Sequence, residues 1–497
     1  MDEHNAAVST IASKIRSFHE RKQAFRIYHG STNSTRQSQK TRDNIVDTSY
    51  LNHVLSIDKE GMTISVEPNV PMDRLVEATL HYGLVAPVVM ELPGITVGGG
   101  FSGTSGESSS FRHGVFERTI QRIEMILANG DIVSASSTEN ADLFWGAASS
   151  FGTLGVITLL EIRLMESKPY VELTYQKLSS MDLAIKKIEE VTADKSIDYV
   201  DGIVFAKDRI VICSGRLTDG GEKGLKIQRF TRANDPWFYI HTEKITSKSS
   251  DNSVVELIPI VDYLFRYDRG GFWVARYAFK YFLTPFNRIT RTIVNKFMHA
   301  RVMYHALHQS GLAKSYTIQD VGVPYSAASE FLDWLETNFG HYPLWLCPLK
   351  QAGSGESQSI FGEKRYTASC EYILNFGVWG PGPSNRKEFV RANRELEQKV
   401  QHLQGLKCLY AHAYYTEDEF WSIYDKKDYD TLREKYHAAY LPNVYDKVKV
   451  DIEKEGRDPF GGIRPLAGLY GVYKAAVGGD YLLPKGALKK AVKEKPH

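Results

Sequence analysis

Cysteine is scarce in this sequence, and long apolar runs are missing. Only 4 of the 497 residues are cysteine, and no two of them have C-x-x-C spacing. This excludes the common zinc and dithiol redox motifs, and the low count favours a reducing, intracellular compartment. No run of about 18 apolar residues occurs, so we expect no membrane-spanning helix. The polar, acidic N-terminus lacks the apolar core of a signal peptide.

A strong excess of charge of either sign is also missing. Lys and Arg together number 61, and Asp and Glu number 59, which gives a formal net charge of +2. A dedicated nucleic-acid-binding protein carries a clear basic excess, so we expect no nucleic-acid partner. We expect no metal site either. The length and the hydrophobic content of 42% are typical of a globular protein with two domains.

Hydrophobic periodicity predicts an α+β fold in three parts. Residues 1–165 combine an amphipathic helix with short strands and a β-hairpin, residues 166–450 alternate helices with buried strands, and residues 451–497 form an extension with a basic tail. Asn129-Gly130 is the expected hairpin turn. The predicted elements used below are helices over 6–20, 384–405 and 417–440, the hairpin at 119–136, and strands at 342–350, 370–380 and 410–415.

One stretch, ITVGGGFSGTSGESSS at 95–110, is dense in glycine and hydroxyl residues. Gly98, Gly100 and Gly103 match G-x-G-x-x-G. A Rossmann site, however, needs a helix directly after this motif and an acidic residue about 20 positions later. The polar segment that follows predicts no such helix. We therefore interpret the stretch as a loop whose backbone N–H groups and hydroxyls hold a pyrophosphate.

Two further segments of residues 1–165 have a similar character. HGSTNSTR at 29–36 places a glycine and small hydroxyl residues after a predicted strand, and GTLGVIT at 152–158 allows close backbone approach. Several such loops in one unit favour a dinucleotide site over unrelated turns. The predicted cofactor-binding residues are Gly30, Ser31, Thr32, Asn33, Ser34, Thr96, Val97, Gly98, Gly99, Gly100, Ser102, Gly103, Thr104, Ser105, Gly106, Ser108, Gly155 and Val156.

These three segments, together with EMILANGDIV at 124–133 and ENADLFW at 139–145, resemble the FAD domain of the p-cresol methylhydroxylase and vanillyl-alcohol oxidase superfamily. Longer stretches are similar to its Δ24-sterol reductase branch. They are residues 62–117, YPLWLCP at 342–348, LYAHAYYTEDEFWSIYD at 409–425 and residues 432–448. The resemblance covers roughly residues 8–450. It implies that residues 1–165 bind FAD and that residues 166–450 form a substrate domain covering the flavin.

The resemblance also implies a reaction. An FAD-dependent oxidoreductase of this branch takes hydride from NADPH and passes it from flavin N5 to one carbon of an isolated alkene in a sterol side chain. A general acid must protonate the other carbon. We expect that acid at His412, Tyr414 or Tyr415, with Glu91 and His113 as more distant candidates. His412 stands where the family usually has a carboxylate.

The first loop bears on how the flavin is attached. Many relatives bind it covalently through a histidine inside this loop. Here His29 precedes Gly30, and Asn33 and Ser34 fill the loop interior. We therefore expect non-covalent FAD.

A sterol-like substrate is nearly insoluble in water, so we expect the protein to collect it from a bilayer. Residues 265–301 interleave aromatic with basic side chains, which predicts peripheral membrane contact. A buried lid over the flavin is the alternative. Trp345 and Trp379 are candidates for lining an apolar slot, or for plain core packing. The expected location is the cytoplasm or the cytoplasmic face of the endoplasmic reticulum.

Two other functions stay open at this point. The chain suits a flavin oxidase or dehydrogenase of the same superfamily that acts on another apolar or secondary-metabolite substrate, because one fold hosts many chemistries. It also suits a non-enzymatic flavin- or lipid-binding scaffold. The sequence leaves the alkene, its stereochemistry and the oligomeric state open.

Overall fold

The structure, a computed structural model, describes residues 1–30, 41–103, 105–220, 224–310, 312–352, 359–361, 371–450 and 468–473. The first elements are α1 (Asp2–Glu20), β1 (Arg26–Tyr28), β2 (Ile45–Asp47), β3 (Val54–Asp58), β4 (Thr63–Val66), α2 (Met72–Leu80), β5 (Leu84–Val85), α3 (Val97–Gly103), α4 (Ser110–His113), β6 (Ile120–Leu127), β7 (Ile132–Ser136), α5 (Ala141–Ala147), β8 (Gly155–Arg163) and β9 (Met165–Glu166).

Further along the chain follow β10 (Tyr170–Leu178), α6 (Met181–Ala193), β11 (Tyr199–Ala206), β12 (Arg209–Thr218), α7 (Phe238–Lys248), β13 (Ser253–Pro259), α8 (Ile260–Leu264), α9 (Ala275–Tyr281), α10 (Arg288–Ile293), α11 (Ala300–Ser310), β14 (Tyr316–Pro324), α12 (Ala328–Asn338), β15 (Leu344–Lys350), β16 (Tyr372–Pro381), α13 (Arg386–His402), β17 (Leu406–Lys407), α14 (Glu417–Ile423), α15 (Lys426–Lys435) and α16 (Val444–Val448). This mixture of helices and sheets confirms the α+β fold class.

The first sheet is antiparallel, with strand order β3-β4-β8-β6-β7, and β1 pairs with β2 in parallel. β6 and β7 form the predicted hairpin, and Gly130 in its turn has a φ of +92°, a conformation that favours glycine. The predicted first helix is α1, which buries its apolar positions at helical spacing. β9 pairs with β5, and it spans the predicted domain boundary between residues 165 and 166. The division into domains there stays a prediction.

The second sheet has eight antiparallel strands in the order β13-β10-β12-β11-β15-β16-β14-β17. Because side chains alternate along a strand, its two faces differ. One face is apolar and packs against α6, α12 and α13, with Val321 and Phe376 in that core. The other face carries Asp320 and Trp379 and borders the cavity described below.

The C-terminal helices pack back onto the first unit. The single helix predicted over 417–440 is wrong, because α14 and α15 are separated at Tyr424, whose backbone is extended. From α15, Tyr429 Oη donates to Thr153 Oγ1 at 2.7 Å. Tyr436 Oη, just beyond α15, donates to Asp142 Oδ1 at 2.8 Å. These contacts fix the end of the predicted substrate domain against residues 1–165.

Candidate functional site

A cavity of about 820 Å³ lies between α3 of the first unit and the face of the second sheet that carries Asp320 and Trp379. Gly103 of α3 borders it on one side, and Asp320 of β14 and Trp379 of β16 border it on the other. Two segments outside the sheets complete it, namely residues 271–282 with α11 and the chain around Tyr410. The predicted glycine site and the predicted substrate domain therefore face one shared space.

The glycine stretch differs from the prediction, since part of it forms the helix α3 instead of a loop. The first N–H groups of a helix need partners outside it. Here they donate to preceding residues at 2.7–3.1 Å. Contact of this stretch with a pyrophosphate stays a prediction. The bonds run from Val97 N–H to Val70 O, from Gly98 N–H to Pro68 O, from Gly99 N–H to Thr96 Oγ1 and from Gly100 N–H to Thr96 O.

Gly103, the last residue of α3, borders the cavity directly. A Cβ added there would lie 3.8 Å from the Phe151 ring and 3.9 Å from the Cβ of Tyr410, so it would enter the cavity without a clash. Gly100 differs, because a Cβ there would come within 2.4 Å of Met90 Cε in the core. The helix thus presents one glycine to the cavity and packs another against the core.

The predicted cofactor-binding residues fall into three groups. Those that line the cavity are Thr96, Gly98, Gly99, Ser102, Gly103, Ser105, Gly106, Gly155 and Val156. The described residues that do not line it are Gly30, Val97, Gly100 and Ser108. Ser31, Thr32, Asn33, Ser34 and Thr104 lie outside the described residues, so non-covalent attachment of the flavin stays a prediction.

Ser108 belongs to the junction between the two units instead of the cavity. Its carbonyl oxygen accepts the Val200 N–H at 2.6 Å, and its hydroxyl accepts the Tyr263 hydroxyl at 3.3 Å. The neighbouring Glu107 carboxyl group accepts the Glu91 N–H at 3.1 Å. Burial raises the pKa of Glu107 to about 8. This part of the glycine stretch therefore contacts the second sheet, and its predicted cofactor contact stays a prediction.

Several cationic residues that the sequence did not single out also line the cavity, and two of them lie near the glycine-rich side. They are Arg26 of β1 and Lys447 of α16, and the Lys447 ammonium donates to the Phe151 carbonyl oxygen at 2.6 Å. Lys447 reaches this position from the far end of the chain. No spacing near the glycine motifs points to it.

The segment at 410–415, predicted as a strand, lies outside the named strands of the second sheet. It is held by α13 and β14. The Gln319 amide donates to the His412 carbonyl at 3.2 Å, and the Glu397 carboxylate accepts the Tyr414 N–H at 2.9 Å. The Arg394 guanidinium donates to the Tyr414 carbonyl at 2.7 Å. Partners distant in sequence therefore set the shape of this segment.

The candidate acids of the sequence are distributed unevenly around the cavity. His412 and Tyr414 line it, and Tyr415 does not. Glu91 lines it from the first unit. His113, at the end of α4, is outside the lining, and burial lowers its pKa to about 4. The catalytic roles themselves stay predictions.

A cluster around Asp320 was not predicted from the sequence. One oxygen of its carboxyl group accepts the Asn375 amide at 2.9 Å, and the other accepts the Trp379 indole N–H at 3.2 Å and the Tyr410 hydroxyl. Burial raises the pKa of Asp320 to about 6. Trp345 also lines the cavity, and its ring stacks on that of Trp379 with centroids 5.9 Å apart.

The aromatic and basic segment at 265–301 is largely buried over residues 265–275 and largely exposed over residues 283–289. Phe272, Trp273 and Phe279 are buried, and Phe272 lines the cavity. The Arg266 guanidinium pairs with the Asp201 carboxylate at 2.8 Å, and both side chains are buried. Burial of these residues agrees with the alternative of a lid, and both the lid and the membrane contact stay predictions. In the part of the chain that the structure describes, no helix is both long and apolar enough to cross a membrane.

Comparison with known proteins shows the family to which this chain belongs. A family described as an FAD binding domain matches residues 6–136. The Delta(24)-sterol reductase of Homo sapiens is 29% identical over 423 residues, which cover 82% of this chain and 78% of the relative. The Delta(24)-sterol reductase of Pisum sativum is 30% identical over 454 residues, with 83% and 78% covered. The chain belongs to the Delta(24)-sterol reductase family.

Outside this family the likeness is narrower. Cytokinin dehydrogenase 9 of Oryza sativa subsp. japonica is 30% identical over 135 residues, which is 26% of this chain and 25% of that protein. The predicted FAD-dependent oxidoreductase is confirmed. The likeness to the Delta(24)-sterol reductases covers 82–83% of this chain, against 26% for this dehydrogenase.

The residues around α3 fit an FAD cofactor. Gly103 leaves open a space that a Cβ would enter, and the hydroxyls of Ser102 and Ser105 line the same wall. The cations Arg26 and Lys447 suit the negative charge of a diphosphate. A polar, partly cationic wall on the FAD side and an aromatic wall on the sheet side divide the cavity into two chemically different halves.

Proposed function

We propose that this protein uses NADPH and FAD to reduce an isolated carbon–carbon double bond in the side chain of a sterol-like substrate. The observation that carries this proposal is the shared cavity, in which the FAD-side wall faces an aromatic wall formed by Phe272, Trp345 and Trp379. Aromatic and apolar walls suit a substrate with few polar groups. When bound, the FAD supplies the hydride.

The protein itself must supply the second hydrogen as a proton. We propose that the donor lies on the segment at 410–415, in which Tyr410, His412 and Tyr414 line the cavity. The bonds from Gln319 and Glu397 to this segment hold its backbone in place, and orientation is one of the main contributions of a protein to a cofactor-dependent reaction.

Half-reactions test the proposal. The purified protein is reduced anaerobically with NADPH, followed by loss of flavin absorbance, and is then mixed with a Δ24 sterol or with oxygen. Fast reduction by NADPH and faster reoxidation by the sterol than by oxygen support the proposal. Fast reoxidation by oxygen without any effect of the sterol would point to an oxidase. No reduction by NADPH would overturn the choice of reductant.

We also propose peripheral contact with a membrane, at a smaller surface than residues 265–301. The side chains of Leu283, Ile289 and Ile293 are 91%, 71% and 74% exposed. The exposed cations Lys280 and Arg288 lie among them in the chain. Apolar side chains with neighbouring cations suit the surface of an anionic bilayer. The cytoplasmic leaflet is such a surface, in agreement with the expected location.

Flotation with liposomes tests this contact. Wild-type protein is expected to float with anionic vesicles at low salt and less at high salt. The double variant Ile289→Ser, Ile293→Ser is expected to remain in the bottom fraction. Leu183→Ser, which changes a 44% exposed leucine on α6, is the matched control and is expected to float like wild type. Equal flotation of the double variant would place the contact elsewhere.

A further inference from the structure

The polar cluster at Asp320 lies on an otherwise apolar part of the cavity wall. Asp320 is 5% exposed, and the residue directly opposite it on β16 is Gly377, which has no side chain to cover it. Trp345 and Trp379 lie within 3 Å of the position that a Cβ on Gly377 would take. The carboxyl group is therefore set among indole rings at the cavity wall.

Tyr410 connects this carboxyl group to the FAD side of the cavity. Its hydroxyl donates to Asp320, and the Cβ of Tyr410 lies 3.9 Å from the position of a Cβ on Gly103, the glycine that faces the cavity from α3. Both Tyr410 and Asp320 line the cavity. A substrate between the two walls therefore meets the Tyr410 side chain close to α3.

Asn375 gives independent support for a ligand at this place. Its amide donates to Asp320, whereas its Oδ1 atom has no hydrogen-bond partner among the residues that the structure describes. Asn375 is 3% exposed and lines the cavity. A buried acceptor without a partner costs free energy, so a donor from a ligand or from an ordered water is expected beside the carboxyl group.

We propose that Asp320 and Tyr410 form a proton relay, in which Tyr410 is the catalytic acid and Asp320 is its proton source. The relay rests on the proposed function. The Tyr410 O–H bond breaks as its proton forms a C–H bond with one alkene carbon, using the π electron pair. The Asp320 O–H bond breaks as its proton restores the Tyr410 hydroxyl. The hydride forms the second C–H bond, and solvent later reprotonates Asp320.

The relay requires a neutral Asp320 at the start, and the burial of its carboxyl group favours that form. Burial raises the pKa of Asp320 to about 6, although its hydrogen bonds and the charge of Lys407 act in the opposite direction. An acid works below its pKa, so proton delivery is expected to be full at lower pH and to fall as the pH rises through about 6. The other titratable groups that interact with Asp320 are Glu107, Tyr304, Cys347, Cys408 and Tyr410.

Variants of the two residues test the relay in the FAD-loaded protein. Tyr410→Phe and Asp320→Asn are expected to leave flavin reduction by NADPH within about twofold of wild type and to slow reoxidation by a Δ24 sterol by about 10²–10⁴-fold, the usual contribution of a general acid. Tyr440→Phe is the matched control, because it also removes one phenol hydroxyl and one hydrogen bond, to the Ala128 carbonyl, outside the cavity lining.

Two pH measurements separate the relay from a structural role. The wild-type reoxidation rate is expected to fall above about pH 6, because Asp320 loses its proton there. The reoxidation rate of Asp320→Asn is expected not to fall in this pH range. In FAD-loaded protein labelled with ¹³Cζ-tyrosine, the Tyr410 resonance is expected to shift with the same titration and to stay constant in Asp320→Asn.

The outcomes that overturn the relay are distinct. A wild-type reoxidation rate in Tyr410→Phe, together with a large loss in His412→Ala, would assign the proton to His412. Equal slowing of both half-reactions in Tyr410→Phe would make Tyr410 structural. If no Δ24 sterol reoxidises the wild-type protein, the proposed function fails. The ¹³C titration then still decides whether the two residues share a proton, and a constant Tyr410 resonance would refute that.

Discussion

Replacing Gly103 with valine is expected to separate FAD binding from folding. A Cβ at this position would have no neighbour closer than 3.8 Å, and valine has a higher helix propensity than glycine by a few tenths of a kcal/mol. The free energy of unfolding without FAD is therefore expected to stay within about 1 kcal/mol of wild type. The valine side chain would occupy part of the cavity wall that we assign to the cofactor.

The size of the effect follows from ligand linkage. If the added side chain weakens FAD binding 100-fold, the loss is about 2.8 kcal/mol. At an FAD concentration 100 times the wild-type Kd, FAD stabilises wild type by about 2.7 kcal/mol and the variant by only about 0.4 kcal/mol. Thermal unfolding with and without FAD measures this difference, and fluorescence quenching of added FAD measures Kd directly.

Gly100→Ala is the comparison that makes the result specific. Its Cβ would lie 2.4 Å from Met90 Cε and 3.0 Å from the Phe116 ring, so overpacking is expected to cost about 1–3 kcal/mol of stability with or without FAD. Wild-type FAD affinity in Gly103→Val would refute our assignment of this wall to the cofactor. If Gly103→Val is clearly less stable than wild type without FAD, the inference that a larger side chain fits at this position is wrong.

Three further predictions concern the cofactor and the buried charges. Acid precipitation is expected to release FAD into the supernatant, and a yellow pellet would show covalent attachment. Lys407→Met would remove the cation that pairs with the buried Glu397 carboxylate at 2.8 Å and would leave it, among the described residues, only the Tyr414 N–H, so it is expected to cost about 3–5 kcal/mol in urea unfolding. A cost below about 1 kcal/mol would contradict this. Because the pKa of Glu107 is raised from 4.5 to about 8, the stability linked to it is full below pH 4.5 and is lost as the pH rises through about 8. Glu107→Gln is expected to flatten the fall of Tm between about pH 6 and 9, and an unchanged slope would contradict the shift.

Local patterns were sufficient for several elements. The hairpin of β6 and β7 was predictable, because alternation and an Asn-Gly turn act within a few residues. The buried strands β15 and β16 carry long apolar runs that admit few other interpretations. Such signals do not depend on distant parts of the chain.

Where distant partners decide the structure, the sequence predicted less well. Glycine is a poor helix former, and yet Gly98–Gly100 lie in the first turn of a helix, because carbonyl and hydroxyl oxygens of the preceding chain accept their N–H groups. The segment at 410–415 alternates like a strand, but bonds from Gln319 and Glu397 keep it outside the sheet. Asp320 and Tyr410 are 90 residues apart, and no local pattern relates them.

Two buried carboxyl groups with raised pKa values lie on opposite sides of the cavity wall, and each is expected to make a different property of the protein depend on pH. Asp320 lines the cavity, and its titration near pH 6 is expected to govern proton delivery without unfolding the protein. Glu107 lies behind the wall at the junction of the two units, where its titration near pH 8 is expected to govern stability. The pH dependence of sterol reduction should therefore have two limbs of different origin. Asp320→Asn should remove the lower limb and Glu107→Gln the upper one, and each substitution should also shift the remaining limb slightly, because the two carboxyl groups interact.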